Sequence, residues 1–149
     1  MNSQNPIPAK YNRVMPYLTV PNAAEFIKFT KTVFDAQEVS RMGPPGGPIM
    51  HGEVKIGDSM IMLAEENVNA PAAPAGIYLY VTDTDATYKK AVDAGAVSIM
   101  EPADQFYGDR NAGVKDFAGN SWWIGTHIED VSGEEIKRRM DEMRKKGKL

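Results

Sequence analysis

Tyr17-Leu18-Thr19-Val20 and Tyr78-Leu79-Tyr80-Val81 are two versions of one β-prone run. Each is followed within two residues by a side chain suited to capping a helix, Asn22 and Asp83. Outward from this pair, further matches follow in the same order. Ala36 with Gln37-Glu38-Val39 is echoed by Ala96 with Val97-Ser98-Ile99, and Glu53-Val54-Lys55 by Gly113-Val114-Lys115. Gly57-Asp58-Ser59-Met60-Ile61 is echoed by Gly119-Asn120-Ser121-Trp122-Trp123. The offsets are 61, 60, 60 and 62 residues, so the matches are collinear and the chain reads as two copies of one unit.

That unit is strand, helix, then three strands. Residues 13–20 alternate around Val14, Leu18 and Val20 and predict a strand. Asn22 with Glu25 opens a helix whose apolar face is Phe26, Thr30, Val33 and Phe34. A short strand over 38–42 runs into Gly43-Pro44-Pro45-Gly46-Gly47-Pro48, which cannot continue a ladder. Residues 49–56 and 60–64 then predict a hairpin around Gly57-Asp58. After the Ala- and Pro-rich stretch 70–75, the second copy predicts a strand over 77–81, a helix over 84–94 stopped by Gly95 and a strand over 97–101. A loop through Gly108 leads to a hairpin over 111–126. Ser132 with Glu135 begins a last helix, with Ile136, Met140 and Met143 on one face and basic residues at its negative end. The expectation is an α+β chain, a single domain over 1–149, with units 12–65 and 76–127 and a terminal helix over 132–146.

Composition bounds the function. The chain has 149 residues, 42% hydrophobic and 25% charged, which is globular composition. A net charge of −3 argues against nucleic acid as a partner, since phosphate binding needs a concentrated positive field. With no cysteine, disulfides, thiol catalysis and thiolate metal sites are excluded. The polar first ten residues lack the apolar stretch of a signal peptide, and no run is long enough to span a bilayer, so a cytoplasmic location is expected.

Three segments carry a family resemblance: Met50-His51-Gly52-Glu53, Phe106-Tyr107-Gly108-Asp109-Arg110 and Asp116-Phe117-Ala118-Gly119-Asn120-Ser121-Trp122. With the paired units, they make the chain similar to the vicinal-oxygen-chelate superfamily of glyoxalases, bleomycin-resistance proteins and dioxygenases. Within it the chain looks like a glyoxalase-like subgroup without an established reaction. The subgroup's usual Asp-Pro-Phe-Gly turn stands here as Asp116-Phe117-Ala118-Gly119, with the glycine kept. The resemblance implies two tandem βαβββ units whose mixed sheets curl around a cup, and a homodimer, often formed by exchanging units. In catalytic members a divalent metal is held by His and Glu from both units. The corresponding positions here are Met15, Met62 (or Ile61), Gly76 and Trp123. Methionine sulfur is too soft for such an ion and glycine has no side chain, so the reading is no metal and no cofactor.

Period-two alternation places Val14, Leu18, Val20, Val54, Ile56, Ile77, Leu79, Val81, Trp122 and Ile124 on the helix-covered face. It places Met15, Tyr17, His51, Glu53, Tyr78, Tyr80 and Trp123 on the other. A face of methionine and aromatics suits a flat apolar or aromatic ligand; equally it could close a ligand-free core or a dimer seam. His51 and Glu53, two apart on a strand, are the candidate catalytic pair, a general base with its orienting carboxylate, or else a rim pair at a dimer contact. Tyr107 and Arg110 are candidate ligand contacts, Arg110 for an anionic group, although Asp109 and Arg110 could instead tie the loop to a neighbour. His127, at a strand end, is expected to be structural. The leading expectation is a metal-free small-molecule-binding protein with a ligand site of Met15, Tyr17, Met62, Tyr78, Tyr80, Tyr107, Arg110 and Trp123. The alternatives are a lyase, isomerase or dioxygenase-like enzyme using a metal or His51-Glu53, and a dimeric structural or regulatory protein.

Overall fold

A computed structural model describes residues 5–149; the reading of the first four residues as part of a polar N-terminus lies outside the described residues. Two compact units divide the chain. The first runs through Ala75 and includes Phe117–Asn120; the second comprises Gly76–Asp116 and Ser121–Leu149.

Unit 1 contains β1 (Tyr17–Val20), α1 (Ala23–Phe34), β2 (Gln37–Met42), β3 (His51–Ile56) and β4 (Ser59–Glu65). Its sheet has the order β1-β4-β3-β2, with β1 parallel to β4 and the other pairs antiparallel. Unit 2 repeats the plan with β5 (Gly76–Tyr80), α2 (Thr84–Asp93), β6 (Val97–Asp104), β7 (Asp109–Lys115) and β8 (Ser121–His127), followed by α3 (Gly133–Lys145). Its order is β5-β8-β7-β6 with the same parallel and antiparallel pairings. The expected α+β class, two βαβββ units and a terminal helix, is what the chain adopts.

The helices begin where side-chain caps satisfy their first free N–H groups. The side chains of Asn22, Asp83 and Ser132 accept from the backbone N–H of Glu25, Ala86 and Glu135. The two units fill their cores differently. In unit 1, α1 presses Phe26, Ile27 and Val33 onto Leu18, Val20, Val54 and Leu63, all buried. In unit 2, α2 buries only Thr84 and Ala91, and the sheet supplies the missing volume through Trp122 beside Val114 and Ile124. The Trp122 Nε1–H donates to Asp116 Oδ2 at 2.8 Å, so the ring is buried without an unpaired polar atom.

Two expectations need correction. The first strand starts at Tyr17 rather than residue 13, because Pro16 has no N–H to give a ladder; its carbonyl accepts from Met62 N at 2.9 Å. Val14 is therefore 87% exposed, not on the helix-covered face, and Met15 lies ahead of the strand. The last hairpin opens at Asp109, two residues early, which puts Asp109 in the ladder opposite His127. None of the residues of α3 is buried.

Candidate functional site

On the unit 2 sheet, the face away from Trp122 forms two rows. Tyr78 lies beside Trp123, Trp123 beside Gly113 and Gly113 beside Met100; in the next row Tyr80 lies beside Gly125, Gly125 beside Asn111 and Asn111 beside Ala103. Large rings thus alternate with glycines, and the glycines are needed. A Cβ on Gly113 would lie 2.6 and 2.8 Å from two ring carbons of Trp123, and one on Gly125 would collide with the Tyr78 hydroxyl. Each ring lies flat across a neighbouring column because that column has no side chain. The result is an open concavity of about 350 Å³ lined by Tyr78, Met100, Gln105, Tyr107, Asn111 and Trp123. The lining includes no charged side chain.

Behind the rings is a hydrogen-bonded chain. Asp109, buried, accepts from Tyr78 Oη at 3.2 Å and Tyr80 Oη at 2.8 Å, and pairs with His127 Nδ1 at 2.9 Å. Burial pushes the Asp109 carboxyl up, but the bonds from His127, Tyr80 and Tyr78 outweigh it and hold the group below its ordinary range. The same carboxylate keeps both tyrosines neutral. Burial, with Asp109 nearby, raises Tyr78, and the bond to Asp109 pushes Tyr80 up to about 12. His127, bonded also to Asp130 Oδ1 at 2.7 Å, is raised by those two carboxylates.

The sign of the pH dependence follows. His127 holds its proton more tightly folded than unfolded, so its contribution is complete below the ordinary value of 6.5 and fades as pH rises through the higher folded value. His127→Gln should therefore lower the thermal midpoint at pH 6, and differ much less from the parent at about pH 9. Melting curves at the two pH values check this; a deficit that grows with pH refutes it.

In unit 1, Tyr17, Met62 and Glu53 are neighbours across one row. Glu53 is 4% exposed, and its Oε1 accepts from Tyr11 Oη at 2.8 Å and bonds His51 Nε2 at 3.2 Å. Burial raises Glu53, but the bonds from Tyr11 and His51, with Lys10 nearby, leave it below its ordinary range. Oε2 is buried with no partner. Both His51 nitrogens are engaged, Nε2 by Glu53 and Nδ1 by Tyr17 Oη at 3.3 Å, which leaves Oε2 of Glu53 as the unbonded polar atom of the pair.

Among the expected ligand contacts, Tyr78, Tyr107 and Trp123 meet in the unit 2 concavity, with Tyr80 joined to Tyr78 through Asp109. Tyr17 and Met62 share the unit 1 face, and Met15 precedes it, half-buried. Arg110 takes the second of its two expected roles and ties β7 to neighbouring elements. It points to the helix-bearing side, where its guanidinium bonds both oxygens of Asp85, at the start of α2, and Asp104 at 2.9 Å. Two carboxylates already offset the charge of this guanidinium, which leaves it poorly suited to an anionic ligand. Asp109, Asn111, Met100, Gln105 and His127 were not among the expected contacts. The parity of Asn111 with Gly113 and Trp123 was the available signal.

The donor set does not suit a divalent ion. Met15, Met62, Gly76 and Trp123 offer no hard ligand, and among the described residues no three His, Asp or Glu side chains converge.

This architecture matches residues 10–124 to the sequence profile of the Glyoxalase/Bleomycin resistance protein/Dioxygenase superfamily, and the chain belongs to that superfamily. It is 32% identical over 136 residues to the uncharacterized protein Mb0911c of Mycobacterium bovis, across 84% of this chain and 90% of that one. The fold resembles TioX from Micromonospora sp. ML1, with a TM-score of 0.66 and 21% identity, covering 78% of this chain and 99% of TioX. It also resembles the fosfomycin resistance protein FosX from Mesorhizobium loti, with a TM-score of 0.59 and 16% identity, covering 78% and 92%. Among the described residues no helix is long and apolar enough to cross a membrane.

Proposed function

We propose that this protein binds a small, partly aromatic organic molecule on the unit 2 sheet face, without a metal, and works as a cytoplasmic homodimer. The observation that carries the reading is the concavity lined by Tyr78, Tyr107 and Trp123, with the Trp123 ring seated over Gly113 and that of Tyr78 over Gly125. Rings held flat by the backbone are a preorganised stacking surface, so little ordering cost falls on binding. A thermal-shift screen with uncharged bicyclic aromatics tests it. A ligand that binds the folded chain raises its melting temperature with the logarithm of its concentration once that exceeds Kd, and a panel without any hit at millimolar concentration removes the proposal. Elemental analysis should find no stoichiometric divalent metal, and light scattering should give twice the chain mass.

A second reading has one specific observation in its favour, the buried unpartnered Oε2 of Glu53. A carboxylate steadied on one oxygen by Tyr11 and His51 could take a proton on the other from a carbon acid. On this reading, Glu53→Gln abolishes turnover of a 2-oxoaldehyde–thiol adduct; no turnover by the parent protein retires it.

A further inference from the structure

One polar atom in the wall of the unit 2 concavity is satisfied by nothing in the chain. Asn111 is 4% exposed, and its Oδ1 is shut from solvent with no hydrogen-bond partner. The other end of the amide is engaged: its Nδ2 donates to Tyr107 Oη at 2.6 Å. The carbonyl is left over. A buried acceptor without a donor bears its desolvation in full, and an incoming donor would recover it.

We infer that the concavity takes a flat, uncharged aromatic ring bearing an N–H or O–H donor, with that donor seated on Asn111 Oδ1. The inference rests on the proposed binding of an aromatic molecule and adds what the ring must carry. The rings of Tyr78, Tyr107 and Trp123 select a planar apolar body. Charge is selected against in both senses. The lining offers an anion no cation, since Arg110 is spent on Asp85 and Asp104. It offers a cation no free carboxylate, since Asp109 already holds three partners.

Indole and benzofuran share one outline and differ at one ring position, N–H against O. Titrations of the full chain followed by NMR should show indole binding about tenfold more tightly than benzofuran. Asn111→Leu, which keeps the volume and removes the acceptor, should bring the two to parity, read as the ratio of the two affinities within that variant. Equal affinities in the parent protein overturn the donor requirement and leave the aromatic site standing. A preference for indole that survives in Asn111→Leu overturns the assignment to Oδ1. If neither compound binds, the aromatic reading fails and the inference fails with it. Should Asn111→Leu not fold, the comparison in the parent protein, extended to benzothiophene as a second ring without a donor, decides alone.

Discussion

Trp122→Ala should cost about 3–5 kcal/mol of stability, the range for truncating a large buried aromatic, while Trp123→Ala should cost far less and abolish aromatic binding. The two residues are adjacent on β8 and point to opposite faces. Trp122 is fully buried beneath a helix that contributes only Thr84 and Ala91, so no neighbour is large enough to fill the space it would leave. The change also removes the N–H that Asp116 accepts. Trp123 instead lies half-buried in the wall of the concavity. Urea denaturation and the ligand titration read the two effects separately. If Trp123→Ala is the variant that unfolds, the division of β8 into a packing face and a binding face is wrong.

Gly113→Ala should lose most of the aromatic binding through a single added methyl group. The backbone of Gly113 is ordinary strand, so alanine brings no conformational penalty of its own. Its Cβ would stand 2.6 and 2.8 Å from the Trp123 ring, closer than carbon atoms approach, and the ring must lift off the sheet. Overpacking of this kind costs about 1–3 kcal/mol, and the lifted ring fills the space a ligand would occupy. Gly133→Ala, where nothing lies within 4 Å of the new methyl group, is the matched control and should leave affinity unchanged. Affinity retained in Gly113→Ala would mean that the flat seating of Trp123 is irrelevant to binding.

The fold was legible because its information is periodic and doubled. Leu18 and Val20, like Trp122 and Ile124, alternate with their neighbours, and the repeat supplies each assignment twice. The site was less legible because it depends on what crosses between strands. Asp109 looks like a loop residue beside Gly108 and becomes a hub only when β7 brings it opposite His127 and within reach of Tyr78 and Tyr80. Arg110 looks like an anion contact until α2 presents Asp85 to it. The flat rings over Gly113 and Gly125 follow from register, which no single segment contains.

The terminal helix has a consequence for how ions in solution reach the site. No residue of α3 is buried, and Arg139 is its anchor, bonding Glu129 through both terminal nitrogens and the Phe106 carbonyl at 3.1 Å. Phe106 precedes Tyr107, so the wall of an uncharged concavity is braced by an exposed ion pair. Such pairs weaken as ionic strength rises. Salt should therefore loosen the grip on a neutral ring by releasing its brace, a dependence that neither the ligand nor the lining would suggest.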